Sequence, residues 1–107
     1  MRILFDQGTP FPLRRGLEDH EVETVFRLGW SRYKNGLLLR QAEEAGYNVF
    51  VTTDQKLKYQ QQVTNRKLAI VVILTTSWPK IQPFIAELCA IITRAEVGAY
   101  IEFPIPE

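Results

Sequence analysis

Short apolar runs alternate along the chain with polar segments of helical character. Ile3-Leu4-Phe5 comes first and is ended by Asp6-Gln7-Gly8-Thr9-Pro10, which reads as a buried strand followed by a turn. A threonine hydroxyl can accept a first-turn N–H and proline fits the first helical position, so Thr9-Pro10 predicts a short helix over Pro10–Leu17. Glu21–Phe26 alternates well enough for a second strand, with Val22 and Val25 its weak point because they are not two apart. Asn35-Gly36 could turn a hairpin between Trp30–Lys34 and Leu37–Arg40. The residues that follow favour a helix instead: Leu37–Ala45 is rich in Leu, Ala, Glu, Gln and Arg, puts Leu38, Ala42 and Ala45 on one face, and stops at Gly46. Asn35 then lies near its N-cap.

Tyr47–Thr53 is β-branched and aromatic, a strand ending at Asp54, and the polar stretch Gln55–Arg66 predicts a short helix around Leu57, Tyr59 and Val63. Leu68–Thr76 is apolar without alternation, which marks a central strand of a parallel sheet with both faces covered. Pro83–Ala95 aligns Phe84, Leu88, Ile91 and Ile92 on one side of a helix, with Arg94 in its last turn and Gly98 beyond. Ala99–Phe103 is a last strand, and Pro104 and Pro106 after it suit a sheet edge. Strands alternating with helices predict an α/β sandwich in which a mostly parallel sheet of about five strands carries helices on both faces. No repeat, linker or low-complexity stretch divides residues 1–107, so one domain is expected.

A chain of 107 residues, 46% of them hydrophobic, can hold a core without staples. One cysteine, Cys89, and one histidine, His20, permit no internal disulfide and exclude zinc fingers, His-pair zinc hydrolases and iron–sulfur clusters. A metal would have to sit on oxygen ligands. Leu68–Leu74 is the longest apolar run, far short of the ~20 residues that span a bilayer. With no signal-peptide layout at Met1–Asp6, a cytoplasmic location and no membrane partner are expected. The formal charge is +1, but residues 1–70 carry +3 and the remainder −2. A local basic surface of Arg14, Arg15, Arg27, Arg32, Lys34, Arg40, Lys56, Lys58, Arg66 and Lys67 is available, without the excess of an obligate nucleic-acid binder.

In such folds ligands collect outside the carboxyl ends of the strands. Two of the three aspartates fall there, Asp6 after the first strand and Asp54 after the Val49–Thr53 run. Converging carboxylates hold Mg²⁺ or Mn²⁺, hard cations that bridge to phosphate. The plainer alternative is that each aspartate caps the element after it. Thr52 and Thr53 are placed to orient Asp54. Tyr59 with Gln60 offers hydrogen bonds near Asp54, to position RNA or to cap the sheet. Trp30 and Tyr33 among Arg27, Arg32 and Lys34 could stack bases, with packing over the sheet rim the preferred reading. Cys89 reads as a core thiol, His20 as exposed, and Glu43 and Glu44 as facing solvent. Apolar Ile101 and Phe103 on an edge strand, with Trp78 near the end of the strongest strand, point to a homodimer, with a monomer the alternative.

Six stretches occur in order: Ile3–Pro10, His20–Val25, Leu28-Gly29-Trp30, Lys34–Leu38, Thr52-Thr53-Asp54-Gln55-Lys56-Leu57 and Tyr59-Gln60-Gln61. In this set the chain resembles the small PIN-like family of predicted nucleases, often proposed as the toxin halves of bacterial toxin–antitoxin pairs. The resemblance implies a PIN-like three-layer sandwich, hydrolysis of RNA phosphodiesters with Mg²⁺ or Mn²⁺, and a small antitoxin protein as partner. It makes Asp6 and Asp54 the catalytic metal ligands. The family's other two acids fall near Asn35–Leu37 and at Lys56, where this chain has no carboxylate. Asn35 would add an amide oxygen to the metal, and Lys56, with Lys58, Tyr59, Gln60 and Arg14, would contact the substrate. Two readings follow: a metal-dependent endoribonuclease, or a PIN-like binding module that has lost catalysis and acts through a protein partner or RNA.

Overall fold

A computed structural model describes residues 1–106. Five strands form one sheet: β1 (Arg2–Phe5), β2 (Glu21–Thr24), β3 (Val49–Thr52), β4 (Ala69–Ile73) and β5 (Tyr100–Phe103). All neighbours pair in parallel, in the order β2-β1-β3-β4-β5. Parallel strands need crossovers, and these supply the outer layers. One layer holds α1 (Asn35–Glu44) and α2 (Leu57–Gln60). The other holds a 3-10 helix over Phe11–Leu17, then α3 (Trp78–Ile81), a 3-10 turn over Gln82–Phe84 and α4 (Ile85–Arg94). The protein is therefore a three-layer α/β sandwich, as the alternation of elements predicts, and no helix among the described residues is long and apolar enough to cross a membrane.

The period of two within each strand divides the core. Ile3, Phe5, Val49, Val51, Val71 and Ile73 pack with Leu13, Leu17, Leu88 and Ile92 on the α4 face, while Leu4, Phe50, Ile70 and Val72 pack with Leu38, Leu39, Ala42 and Leu57 on the α1 face. Val22 and Val25 turn out to serve opposite faces: β2 ends at Thr24, Val22 packs toward α4 and Val25 toward α1. Their spacing is a defect only for a strand covered on one side.

Several boundaries differ from expectation for local reasons. The segment after Pro10 is 3-10 rather than α, since Pro12 lies within it and removes a donor, and its opening bond runs from Leu13 N–H to the Pro10 carbonyl. The helix around Leu57 is a single turn. Trp78 opens α3 and packs against the core rather than standing at the end of a strand, while Phe103 is buried and Ile101 half-buried. Glu43 does not face solvent: it accepts from Arg66 Nη2 at 2.6 Å and from Lys67 N–H at 2.8 Å, with both ion-pair side chains 13% exposed. His20 is half-buried, with Nδ1 3.3 Å from the terminal amine.

Helix α1 ends as its glycine predicts. Gly46 adopts φ +83°, Tyr47 N–H reaches the Ala42 carbonyl and Gly46 N–H the Glu43 carbonyl. This closure satisfies the last carbonyls and turns the chain straight into β3.

Candidate carboxylate site at the sheet's switch point

Strand β1 lies between β2 and β3, so the crossover leaving β1 goes to one side and the strand on its other side arrives later in the chain. In open parallel sheets such a reversal opens a crevice at the carboxyl ends of the flanking strands. Asp6 follows β1 and Asp54 lies just past the end of β3. The strand period places Asp6 and Thr52 two residues beyond Leu4 and Phe50, on the α1 side of the sheet.

Thr52 joins the two aspartates. Its fully buried hydroxyl donates to Asp6 Oδ2 at 2.8 Å and accepts from the Asp54 N–H at 3.1 Å. Gln7 N–H supplies Asp6 Oδ1 at 2.9 Å. Asp54 Oδ1 accepts from Lys56 N–H at 3.0 Å, and Oδ2 from the Asn35 amide at 3.3 Å. That amide also donates to Gln60 Oε1 at 3.1 Å. Both carboxylates are therefore held from fixed backbone or from short side chains.

No described cation forms an ion pair with either aspartate; the four ion pairs lie elsewhere, at Arg2–Glu21, Arg27–Glu23, Lys58–Glu102 and Arg66–Glu43. Burial pushes the Asp6 carboxyl above its ordinary range. The bonds from Thr52 and Gln7 pull the other way, and the negative charge of Asp54 adds to the rise. Two carboxylates at neighbouring strand ends, both partly buried and with only neutral donors around them, make a local excess of negative charge.

The other expected site residues separate into three groups. Asn35, Gln60 and the backbone of Lys56 belong to the carboxylate network. Asn35 is the first residue of α1, just after the N-cap Lys34, and it presents amide hydrogens to Asp54. Lys58 is drawn away, with Nζ 2.9 Å from Glu102 Oε2 and 5.2 Å from the ring centroid of the exposed Tyr59. Tyr100 donates to the same Glu102 oxygen at 2.9 Å, and burial with the neighbouring negative charges pushes its hydroxyl far up. Thr53 is turned toward the loop after β1, its hydroxyl lying 2.9 Å from where a side-chain carbon on Gly8 would stand. Arg14 lies on the 3-10 helix with its guanidinium 4.3 Å from the Phe11 ring centroid.

Trp30 and Tyr33 pack over the sheet rim, Trp30 6.0 Å from Tyr33 and 6.2 Å from Tyr47 between ring centroids. The exposed aromatics near Asp6 are instead Phe11 and Phe26, 42% and 75% accessible. Sequence reasoning passed over both. The one available signal was Phe26 standing at the end of a predicted strand beside Arg27.

Among the described residues no cluster of three or more His, Cys, Asp or Glu side chains could hold a metal ion. The oxygen donors present, the two carboxylates, are of the hard type that suits one Mg²⁺ or Mn²⁺ retaining most of its water, while Asn35 turns amide hydrogens toward Asp54. Leu37, at one expected acid position, is 43% exposed, and Lys56, at the other, is exposed. No family model, no curated protein and no solved structure matches the chain.

Proposed function

We propose that the protein is a PIN-like, divalent-metal-dependent endoribonuclease of the cytoplasm, with Asp6 and Asp54 as the carboxylates that hold Mg²⁺ or Mn²⁺ and Asn35 as a further oxygen ligand once its amide turns. The observation that carries this reading is the pair of carboxylates at the switch point with neutral donors and no cation between them. Bound there, the ion supplies charge stabilisation at a phosphate and activates water. Thr52 fixes Asp6 and the Lys56 N–H fixes Asp54, so the two carboxylates need little reorganisation when substrate arrives. The Lys56 side chain, exposed at the rim, is placed to meet a phosphate oxygen; Gln60 and Tyr59 border the same end of the sheet. Lys58 joins them only by leaving Glu102. A small antitoxin protein would be the natural partner of such an enzyme.

The test is cleavage of single-stranded RNA by purified protein with Mg²⁺ or Mn²⁺. Activity that chelation removes and that Asp6→Asn and Asp54→Asn each abolish supports the assignment. Equal activity in both variants refutes it.

One observation favours a second reading, a PIN-like binding module without catalysis: Leu37 and Lys56 stand where two further acids are expected, and among the described residues no third carboxylate joins the pair. Calorimetric titration with Mn²⁺ separates the two. Binding lost in Asp6→Asn favours the enzyme, and no binding alongside tight association with a small protein favours the module.

A further inference from the structure

We infer that the cavity beside Asp6, between the carboxyl ends of β1 and β2, is a pocket for one unstacked base of single-stranded RNA, the base next to the phosphate held at the carboxylate pair. The inference deepens the ribonuclease reading and rests on it for the position of that phosphate. The cavity measures about 310 Å³ and is lined by Phe5, Phe11 and Phe26, with Asp6, Gly8 and Arg27 among its remaining walls. This is the low end of the size range of small-ligand pockets, enough for a flat heteroaromatic ring and part of its sugar.

Three features select a base. First, Phe26 leaves three quarters of its surface in water beside a cavity it lines. A ring so placed offers its face to another ring, and stacking needs no particular base because every base has a π-face. Second, Asp6 is itself among the residues lining the cavity, so a base seated there lies beside the carboxylate pair and the phosphate it would hold. Third, the far rim is cationic. Arg27 and Phe11 also line a neighbouring groove of about 570 Å³, where Arg14 lies over the Phe11 ring. Glu18 shares that groove, and Arg27 is 3.6 Å from Glu23 with its own side chain 67% exposed. An exposed pair of that kind is worth little, so the guanidinium can turn to a phosphate. A strand passing the carboxylate pair would thus place a base on Phe26 and its next phosphate near Arg27 and Arg14. Bases in a duplex stay stacked on one another and cannot enter.

The test measures binding without catalysis. A short fluorescein-labelled single-stranded oligoribonucleotide, its abasic counterpart and the corresponding duplex are titrated with the protein in EDTA and again with Mg²⁺, strand integrity being checked on a gel, and followed by fluorescence anisotropy. The base-bearing single strand is expected to bind about tenfold more tightly than the abasic strand, Phe26→Ala to remove most of that difference, and Phe26→Tyr to keep it. Phe26 is 75% exposed, so its truncation does not touch the core. Equal affinity for the base-bearing and abasic strands overturns the pocket, as does Phe26→Ala binding like the parent. A protein partner that needs Phe26 while RNA binding ignores it also overturns it. Failures of the two readings are distinguishable. Base-dependent binding without cleavage under any metal refutes the enzyme and leaves the pocket standing, whereas cleavage with an unchanged KM in Phe26→Ala refutes the pocket alone.

Discussion

Replacing Thr52 by valine tests whether its hydroxyl organises the aspartate pair. The side chain is fully buried on β3, and valine keeps both its branching and its fit to the strand. The variant loses the bond to Asp6 Oδ2, 2.8 Å long, and leaves the Asp54 N–H without its acceptor. A hydrogen bond to an ionised group contributes roughly 1.5–3 kcal/mol, and stranding a partly buried N–H costs about 1 kcal/mol more. The added methyl returns about 0.8 kcal/mol through apolar burial. The net cost at neutral pH is therefore about 2–3 kcal/mol.

The same argument fixes a pH dependence. The Thr52 bond favours ionised Asp6, so removing it pushes a carboxyl already raised by burial further up. Below both folded-state values Asp6 is protonated in parent and variant alike, and the lost bond is an ordinary one worth about 1 kcal/mol. The destabilisation should grow as pH rises through the two folded-state pKa values. Urea unfolding at about pH 7 and about pH 3, read by tryptophan fluorescence, measures both ends, and carboxyl ¹³C titration of Asp6 reads the shift itself. A cost below about 0.5 kcal/mol at neutral pH, or one equal at both ends, would refute the role given to Thr52.

Asp6→Asn should make the protein more stable at neutral pH while removing cleavage: a carboxyl whose folded-state pKa is raised contributes stability only below its unfolded value and loses it as pH climbs through the raised one. Parallel thermal melts across pH should show parent and variant converging in acid, and a variant less stable than the parent at neutral pH counts against a desolvated Asp6. On the opposite side of the sandwich, a side-chain carbon at Gly16 would stand 2.6 Å from Cys89 Sγ and 3.2 Å from Ile85 Cγ2. Gly16→Ala should cost about 1–3 kcal/mol by overpacking, and appreciably less in a Cys89→Ala background, so chemical unfolding of the single and double variants reads the coupling directly.

What could be read from the sequence is what depends on local pattern. Continuous Ile70–Ile73 announces a strand covered on both faces, and Leu38 with Ala42 before Gly46 announces α1 and its closure. Asp6 and Asp54 were legible because a strand end is itself a pattern. Their joint placement depends on sheet order, which brings β1 beside β3 although Asp6 and Thr52 are 46 positions apart. Glu43 was misjudged for the same reason, since its partner Arg66 lies 23 residues away and nothing in the helix foretells it. Phe26 and Phe11 were missed because an apolar letter says nothing of exposure until its neighbours are in place. Trp78 shows the converse: Pro79 tolerates the first helical turn, so a residue after a strand began a helix rather than prolonging the sheet.

The distribution of cations sharpens the functional argument beyond the two aspartates. Near this end of the sheet Lys58 is neutralised by Glu102, which Tyr100 also bonds, so the nearby ammonium is committed to another carboxylate. Lys56 gives the pair its backbone N–H, and no ion pair joins its side chain to either aspartate. A structural role for Asp6 and Asp54, as caps of the elements after them, accounts for the bonds from Gln7 and Lys56 but not for those from Thr52 and Asn35, which fix two negative side chains at neighbouring strand ends. Like charges brought together in a partly dry crevice destabilise the fold unless something positive joins them. A divalent cation removes that cost at Asp6 and Asp54 together, which is why metal titration of the parent against Asp6→Asn and Asp54→Asn decides between a cap and a site.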